Sequence, residues 1–249
     1  PTSPSHRRIH AAPAVRALAA RLGVDLATVE ATGTEGEVLT DDVERAATGP
    51  AFEPLRGVRR AMARNMSASG AAVVPATVFD EVDVEAWPAG TDVTARLVRA
   101  VVAGCRADPA LNAWFESHAE GRRMHSRVDI GIAVEAPDGL FVPVLRDAGS
   151  LDASAVRAAV DALEHAVRSR AVTPEQLRAP TITLSNFGML AGRHAALVVI
   201  PPQVAILGAG RIEPRVVAAA GQPAVHRILP LSSSFDHRVA TGGEAGTFL

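Results

Sequence analysis

Residues Ser234–Leu249 read SFDHRVATGGEAGTFL. The preceding run LPLSSSF (Leu229–Phe235) is apolar and small-residue, so Ile228–Phe235 reads as a buried strand that delivers Asp236-His237-Arg238 to its end. Gly242 and Gly243 follow shortly after. A histidine that acts as a general base must be held in one tautomer, partly shielded from water, with a pKa near the working pH. A strand end followed by glycines is a platform for that, so His237 is the first candidate for chemistry. His6, His10 and His125 lie in polar context and read as ordinary surface histidines.

Upstream, the segment Ala76–Val84 (ATVFDEVDV) alternates and predicts a strand. Val128–Val134 and Leu140–Leu145 flank Pro137-Asp138-Gly139 and predict a hairpin. Thr181–Ser185 and Val198–Gly208 predict two more strands. Val58–Ser67, Thr94–Ala107 and Leu151–Arg170 have helical spacing. Mixed strands with helices on one face indicate an α+β layered domain.

The first fifty residues carry a different pattern. Val15, Leu18, Ala19 and Leu22 fall on one face of a helix over Ala14–Leu22, which Pro13 starts and Gly23 stops. Thr40 is placed to cap a second helix over Thr40–Ala46, and the loop Gly33-Thr34-Glu35-Gly36 lies between them. The expected organisation is a linker at 1–5, a small helical domain at 6–48, a linker at 49–54 and the large domain at 55–249.

Composition bounds the rest. With 249 residues, 48% hydrophobic and 21% charged, the chain can bury a large core. A net charge of -2 gives no field that would gather nucleic acid or acidic lipid, and no stretch approaches the ~18 apolar residues of a membrane span. With the single cysteine Cys105, in an apolar helix, neither a disulfide framework nor a cysteine-rich zinc site is expected, and cytoplasmic placement is the expectation. No metal is expected, and Cys105 reads as a small core residue rather than a nucleophile.

Four stretches together resemble one known family. HAAPAVRALAARLGVDLATVEATGTEGEVLTDDV (His10–Val43) is similar to the peripheral subunit-binding domain of the dihydrolipoyl acyltransferase (E2) components of 2-oxo acid dehydrogenase complexes. FEPLRGVRRAMARNMSAS, VDIGIAVEAPDGLFVPVLRDA and PTITLSNFGMLAGRHAALVVIPPQVAILGAGRI resemble segments of their catalytic domain, as does the opening stretch, and more distantly that of chloramphenicol acetyltransferase. The implied fold is a chloramphenicol-acetyltransferase-like two-layer mixed sheet with helices, preceded by a small all-α domain.

The resemblance implies roles. His237 would be the base that deprotonates the acyl acceptor, Ser185 in TITLSNFG the hydroxyl that stabilises the oxyanion, and acetyl-CoA the acyl donor, with no acyl-enzyme. Thr183 is a less suitable hydroxyl, two residues out of register. The family pattern Asp-His-Arg-x-x-Asp-Gly has Asp where this chain has Thr241. That Asp pairs with an arginine in relatives, for which Arg59 or Arg60 is the counterpart here; Thr241 cannot form the ion pair, but its hydroxyl can hydrogen-bond, so it would be a supporting residue that braces the histidine loop more weakly. Asp236, like Arg238 beside it, reads as a supporting residue. A homotrimer, with His and Ser meeting across the subunit interface, is implied as well.

The acceptor stays open between a dihydrolipoyl group and a small-molecule hydroxyl. The chain contains no lysine to carry a lipoyl group, and the basic residues that dock E1/E3-type partners are replaced at Ala20 and Glu37, leaving Arg16 and a displaced Arg21. These features slightly favour a freestanding O-acetyltransferase of a natural-product pathway over the core of a dehydrogenase complex. A non-catalytic scaffold is the third reading, against which both His237 and Ser185 are retained.

Overall fold

The computed structural model describes residues 9–49, 53–190 and 192–249. The expected linker at 1–5 and the middle of that at 49–54 lie outside them. The chain divides into two compact units, Pro1–Leu55 and Arg56–Leu249.

In the first unit, β1 (His10–Ala11) is followed by α1 (Pro13–Leu22), β2 (Glu37–Val38) and α2 (Thr40–Thr48). β1 and β2 pair in parallel over two residues each, and the remaining regular structure among the described residues of this unit is helical. Val15, Ala19, Val38 and Val43 make its core, while Leu22 is 42% exposed and does not share the buried face expected of it. Thr40 does not cap α2. The N-cap is Leu39, and the buried Asp42, three residues on, accepts the Leu39 N–H at 2.9 Å. The same carboxylate accepts the N–H of Thr32 at 3.0 Å and its hydroxyl at 2.7 Å. Asp42 thereby ties the loop to the helix start, supplying a partner to a backbone donor that no helix turn can satisfy.

The second unit runs α3 (Gly57–Ala72), β3 (Pro75–Asp83), α4 (Val93–Ala107), the hairpin β4 (Ala113–Glu116) and β5 (Gly121–Met124), then β6 (Ile130–Ile132), β7 (Val134–Ala136), β8 (Gly139–Phe141), β9 (Val144–Leu145), α5 (Ala153–Arg168), β10 (Ile182–Asn186), β11 (Ala205–Ala209), β12 (Glu213–Ala219), β13 (Gln222–Asp236) and α6 (Gly242–Phe248). The mixed sheet has the order β12-β13-β11-β10-β6-β9, with β3 also on β13. β10 is parallel to β11 and β6, and β13 is antiparallel to all three of its neighbours. The expected hairpin over 128–145 is present as two antiparallel pairs, β6–β9 and β7–β8. The fold class is the expected one.

One face of the sheet packs on helices. Leu184, Leu207, Leu231 and Phe235 join Val98 and Val101 of α4 and Val156 and Val160 of α5 in one core. Each such side chain, fully buried, contributes ~1.5–3 kcal/mol. Across the other face runs the irregular stretch 192–204, in place of the strand expected over 198–204. Ala195 N–H donates to Ser232 Oγ at 3.2 Å and Leu197 N–H to Ser234 Oγ at 2.9 Å. Towards the end of the stretch only isolated bonds reach strands: Pro202 O accepts the Phe115 N–H at 2.8 Å, Val204 N–H donates to Ala113 O at 3.2 Å, and Val204 O accepts the Asp236 N–H at 2.9 Å. Pro201 and Pro202 have no N–H to give a ladder. Gly208 makes the close approach possible, since a Cβ there would lie 2.6 Å from Leu197 Cδ1 and 2.9 Å from Phe187 Cε1.

Candidate functional site

His237 follows β13 directly. Its N–H donates to Val74 O at 2.8 Å, and its ring lies 5.6 Å from that of Phe235. Ser232, Ser233 and Ser234 are fully buried, as the run LPLSSSF implies, but the imidazole itself is exposed. The shielding expected of a base is not supplied by this chain alone.

The flanking residues form a clamp. Asp236 is 2% exposed, and Arg238 donates to it from Nε and Nη2. Asp236 also accepts the N–H of Arg238 at 3.1 Å and that of Val74 at 3.4 Å, while Arg238 Nη2 reaches the carbonyl of Ala72. The guanidinium carbon sits 4.3 Å over the Phe115 ring. Burial, the largest single influence on Asp236, pushes its carboxyl up, yet the hydrogen bonds and charge of Arg238 outweigh it and hold the pKa below the ordinary value. The clamp fixes the end of β13 to the turn between α3 and β3, immediately beside the histidine.

Thr241 has a different part from the one expected. It is the N-cap of α6: its Oγ1 accepts the Glu244 N–H at 3.3 Å, and Glu244 Oε2 accepts the Thr241 N–H at 2.7 Å. Arg59 and Arg60 are exposed on α3, and among the described residues neither side chain bonds to Thr241. The hydroxyl is spent on its own helix terminus, which is why no brace to α3 forms.

Ser185 stands near the end of β10, half-buried, and among the described residues no hydrogen bond occupies its Oγ. Its neighbours are committed: Thr183 Oγ1 donates to Gln203 Oε1 at 2.7 Å, and Asn186 Nδ2 donates to Thr94 Oγ1 at 3.2 Å. The turn after Ser185 carries Met189 and Leu190 into solvent, 90% and 64% exposed. Cys105 is buried, and burial pushes its thiol up to about 12, so it is no nucleophile at neutral pH. His125 is not a plain surface histidine: it is half-buried against Trp114, with ring centroids 4.6 Å apart.

Within one chain Ser185 and His237 do not meet. Ser185 pairs with Gly208 and Gly208 with Ser232, two strands away. His237 lies five residues beyond Ser232. Strand spacing and rise put the two residues roughly 19 Å apart.

Residues 48–249 match the family of 2-oxoacid dehydrogenases acyltransferase (catalytic domain), and residues 9–44 match the E3 binding domain. The chain belongs to the 2-oxoacid dehydrogenase acyltransferase family. It is 34% identical over 272 residues to the lipoamide acyltransferase component of the branched-chain alpha-keto acid dehydrogenase complex of Pseudomonas putida, covering 96% of this chain and 64% of that protein. It is 26% identical to the dihydrolipoyllysine-residue acetyltransferase component of the pyruvate dehydrogenase complex of Acholeplasma laidlawii, covering 97% of this chain and 53% of that protein. The chain therefore spans somewhat over half the length of these relatives.

Among solved structures, the dihydrolipoamide acetyltransferase of Azotobacter vinelandii has a TM-score of 0.75 at 27% identity, covering 82% of this chain and 90% of that one. A probable dihydrolipoamide acetyltransferase from Listeria monocytogenes also gives 0.75, at 26% identity, covering 80% and 91%. The Azotobacter work concerns a serine, a histidine and an asparagine in that enzyme's catalytic mechanism, at intervals of 52 and 4 residues. Ser185, His237 and Thr241 are separated by the same intervals.

These relatives overturn the expectation of a freestanding natural-product O-acetyltransferase, since those named above are acyltransferase components of dehydrogenase complexes. That expectation leaned on the absence of lysine and on two altered positions in the small unit, neither of which touches the acyltransferase unit's own geometry.

Proposed function

We propose that the chain is the acyl-transfer core of a 2-oxo acid dehydrogenase complex, passing an acyl group between a dihydrolipoyl thiol and coenzyme A at sites built between subunits of a homotrimer. The observation that carries the reading is the acyltransferase match over 48–249, with Ser185 and His237 at the serine–histidine interval of the Azotobacter enzyme. Their separation in one chain, the exposure of His237 and the apolar turn at Met189 and Leu190 support a site that a second subunit completes.

In this mechanism His237 takes the proton from the attacking thiol as its sulfur bonds to the thioester carbonyl carbon. The carbonyl oxygen becomes an oxyanion, which the free Ser185 hydroxyl of the neighbouring subunit stabilises, a contribution of ~2 to 4 kcal/mol for one such donor. When the carbonyl re-forms, the second sulfur leaves and takes the proton back from the imidazolium. Acyl group, thiol and proton balance without an acyl-enzyme. Coenzyme A and the dihydrolipoyl group are both substrates here. With no lysine in the chain, the lipoyl group arrives on another segment or another chain. The first unit, by its match to the E3 binding domain, docks a partner enzyme despite Ala20 and Glu37.

The test supplies dihydrolipoamide with acetyl-CoA and with branched short-chain acyl-CoAs, and measures release of free CoA. Release that depends on dihydrolipoamide is expected with at least one of them. No release with any acyl group would sink the reading.

A further inference from the structure

The loop from His237 to Thr241 is held from a second side, by the β4–β5 hairpin. Phe115 and Arg122 face each other directly across that hairpin. Phe115 lies under the guanidinium of Arg238, while Arg122 Nη1 donates to Val239 O at 2.9 Å and to Glu244 Oε1 at 3.3 Å. The other oxygen of Glu244 accepts the Thr241 N–H at 2.7 Å. One arginine thus reaches the carbonyl two residues past His237 and, through Glu244, the backbone at the loop's end. The Glu244 carboxyl is held below its ordinary range by the Thr241 N–H first, with Arg122 contributing, so it stays ionised as the partner of Arg122.

We infer that Arg122 is a positioning residue for His237, acting with Glu244 to fix the 237–241 loop in place of the ion pair that Thr241 cannot make. Arg122 touches no part of the imidazole and works through the backbone on either side of it. The inference rests on the proposed role of His237 as the base. Arg122 and Glu244 have side chains 41% and 28% exposed. A pair that open contributes little to folding, so its effect on the loop can be separated from stability.

The experiment compares Arg122→Ala, Arg122→Lys and Glu244→Gln with the wild type in full-length protein, using dihydrolipoamide and acyl-CoA. It also records the His237 imidazole signal by NMR with ¹³Cε1-histidine, assigned through His237→Gln. Arg122→Ala is expected to lower kcat roughly tenfold with KM and Tm nearly unchanged, since small misplacements of a reacting group cost that order of rate. Its His237 signal should broaden or split, and Arg122→Lys should restore most of both. Full kcat with an unaltered His237 signal would overturn the inference, as would a loss of kcat that follows Tm and is not rescued by lysine. If the wild type transfers no acyl group, the functional reading falls separately, and the NMR comparison alone decides whether Arg122 orders His237.

Discussion

Arg238 grips Asp236 from two nitrogens, its Nε lying 2.9 Å from Oδ1 and its Nη2 2.5 Å from Oδ2. Because Asp236 is buried and its partner half open to water, the pair fixes geometry more than it adds energy. Removing the buried charge still leaves Arg238, Val74 N–H and their surroundings mismatched. Asp236→Asn is expected to cost ~2–3 kcal/mol in chemical denaturation, at the low end for a broken buried pair because Arg238 is partly solvated. The carboxyl's pKa is depressed in the folded state, so this stability is present above the unfolded value of ~3.9 and is lost as pH falls through the folded value. The wild type should lose stability on acidification below about pH 4 more steeply than the variant.

Asp42 supplies the same linkage in the first unit. Its pKa is lowered to about 2, first by the Leu39 N–H, then by the N–H and hydroxyl of Thr32. The stability it contributes is therefore intact above ~3.9 and is lost as pH approaches the folded value. Hydrogen exchange should show residues 9–49 of Asp42→Ala unprotected at neutral pH, with 56–249 unchanged. Retained protection in 9–49 would mean that the carboxylate does not hold the loop to α2.

Gly104 lies where α4 meets the end of the chain. A Cβ there would be 2.6 Å from Phe248 O and 2.8 Å from its ring. Gly104→Ala should destabilise by ~1–3 kcal/mol despite alanine's better helix propensity, because α6 must move away. Thermal unfolding should show Tm lower by ~2–4 °C per kcal/mol for a domain of this size.

Ser185→Ala should lower kcat by a factor of ~10²–10³ with KM for both substrates little changed, as expected of a donor used only in the transition state. Steady-state kinetics decides it, and a change confined to KM would assign Ser185 to binding instead.

Much of this was legible in local patterns. The helices over 93–107 and 153–168 and the strand into His237 follow from apolar periodicity and a run of small residues. α6 was missed because Gly242-Gly243 reads as loop, although Thr241-x-x-Glu244 is a capping-box signal that could have found it. The β4–β5 hairpin and Arg122 had no such signal, since GRRM carries no alternation and the residues it serves are over a hundred positions away. The roughly 19 Å between Ser185 and His237 depends on strand order and register, which no local pattern encodes. The stretch 198–204 reads as a strand because it is apolar, but Pro201 and Pro202 interrupt it and its backbone makes only isolated bonds, from Pro202 and Val204 to β4 and β13, rather than a ladder.

The proposed inter-subunit site of a homotrimer is tested most directly by mixing two chains expected to be inactive, His237→Ala and Ser185→Ala, under conditions that allow subunits to exchange. Each homotrimer lacks one half of every site, while a mixed trimer carries some sites with both halves intact. Random mixing should restore about a quarter of the wild-type kcat per site, since each half must come from the correct chain in a closed ring. Mixed oligomers that form yet stay inert, or a wild type that is active while sedimenting as a monomer, would contradict it.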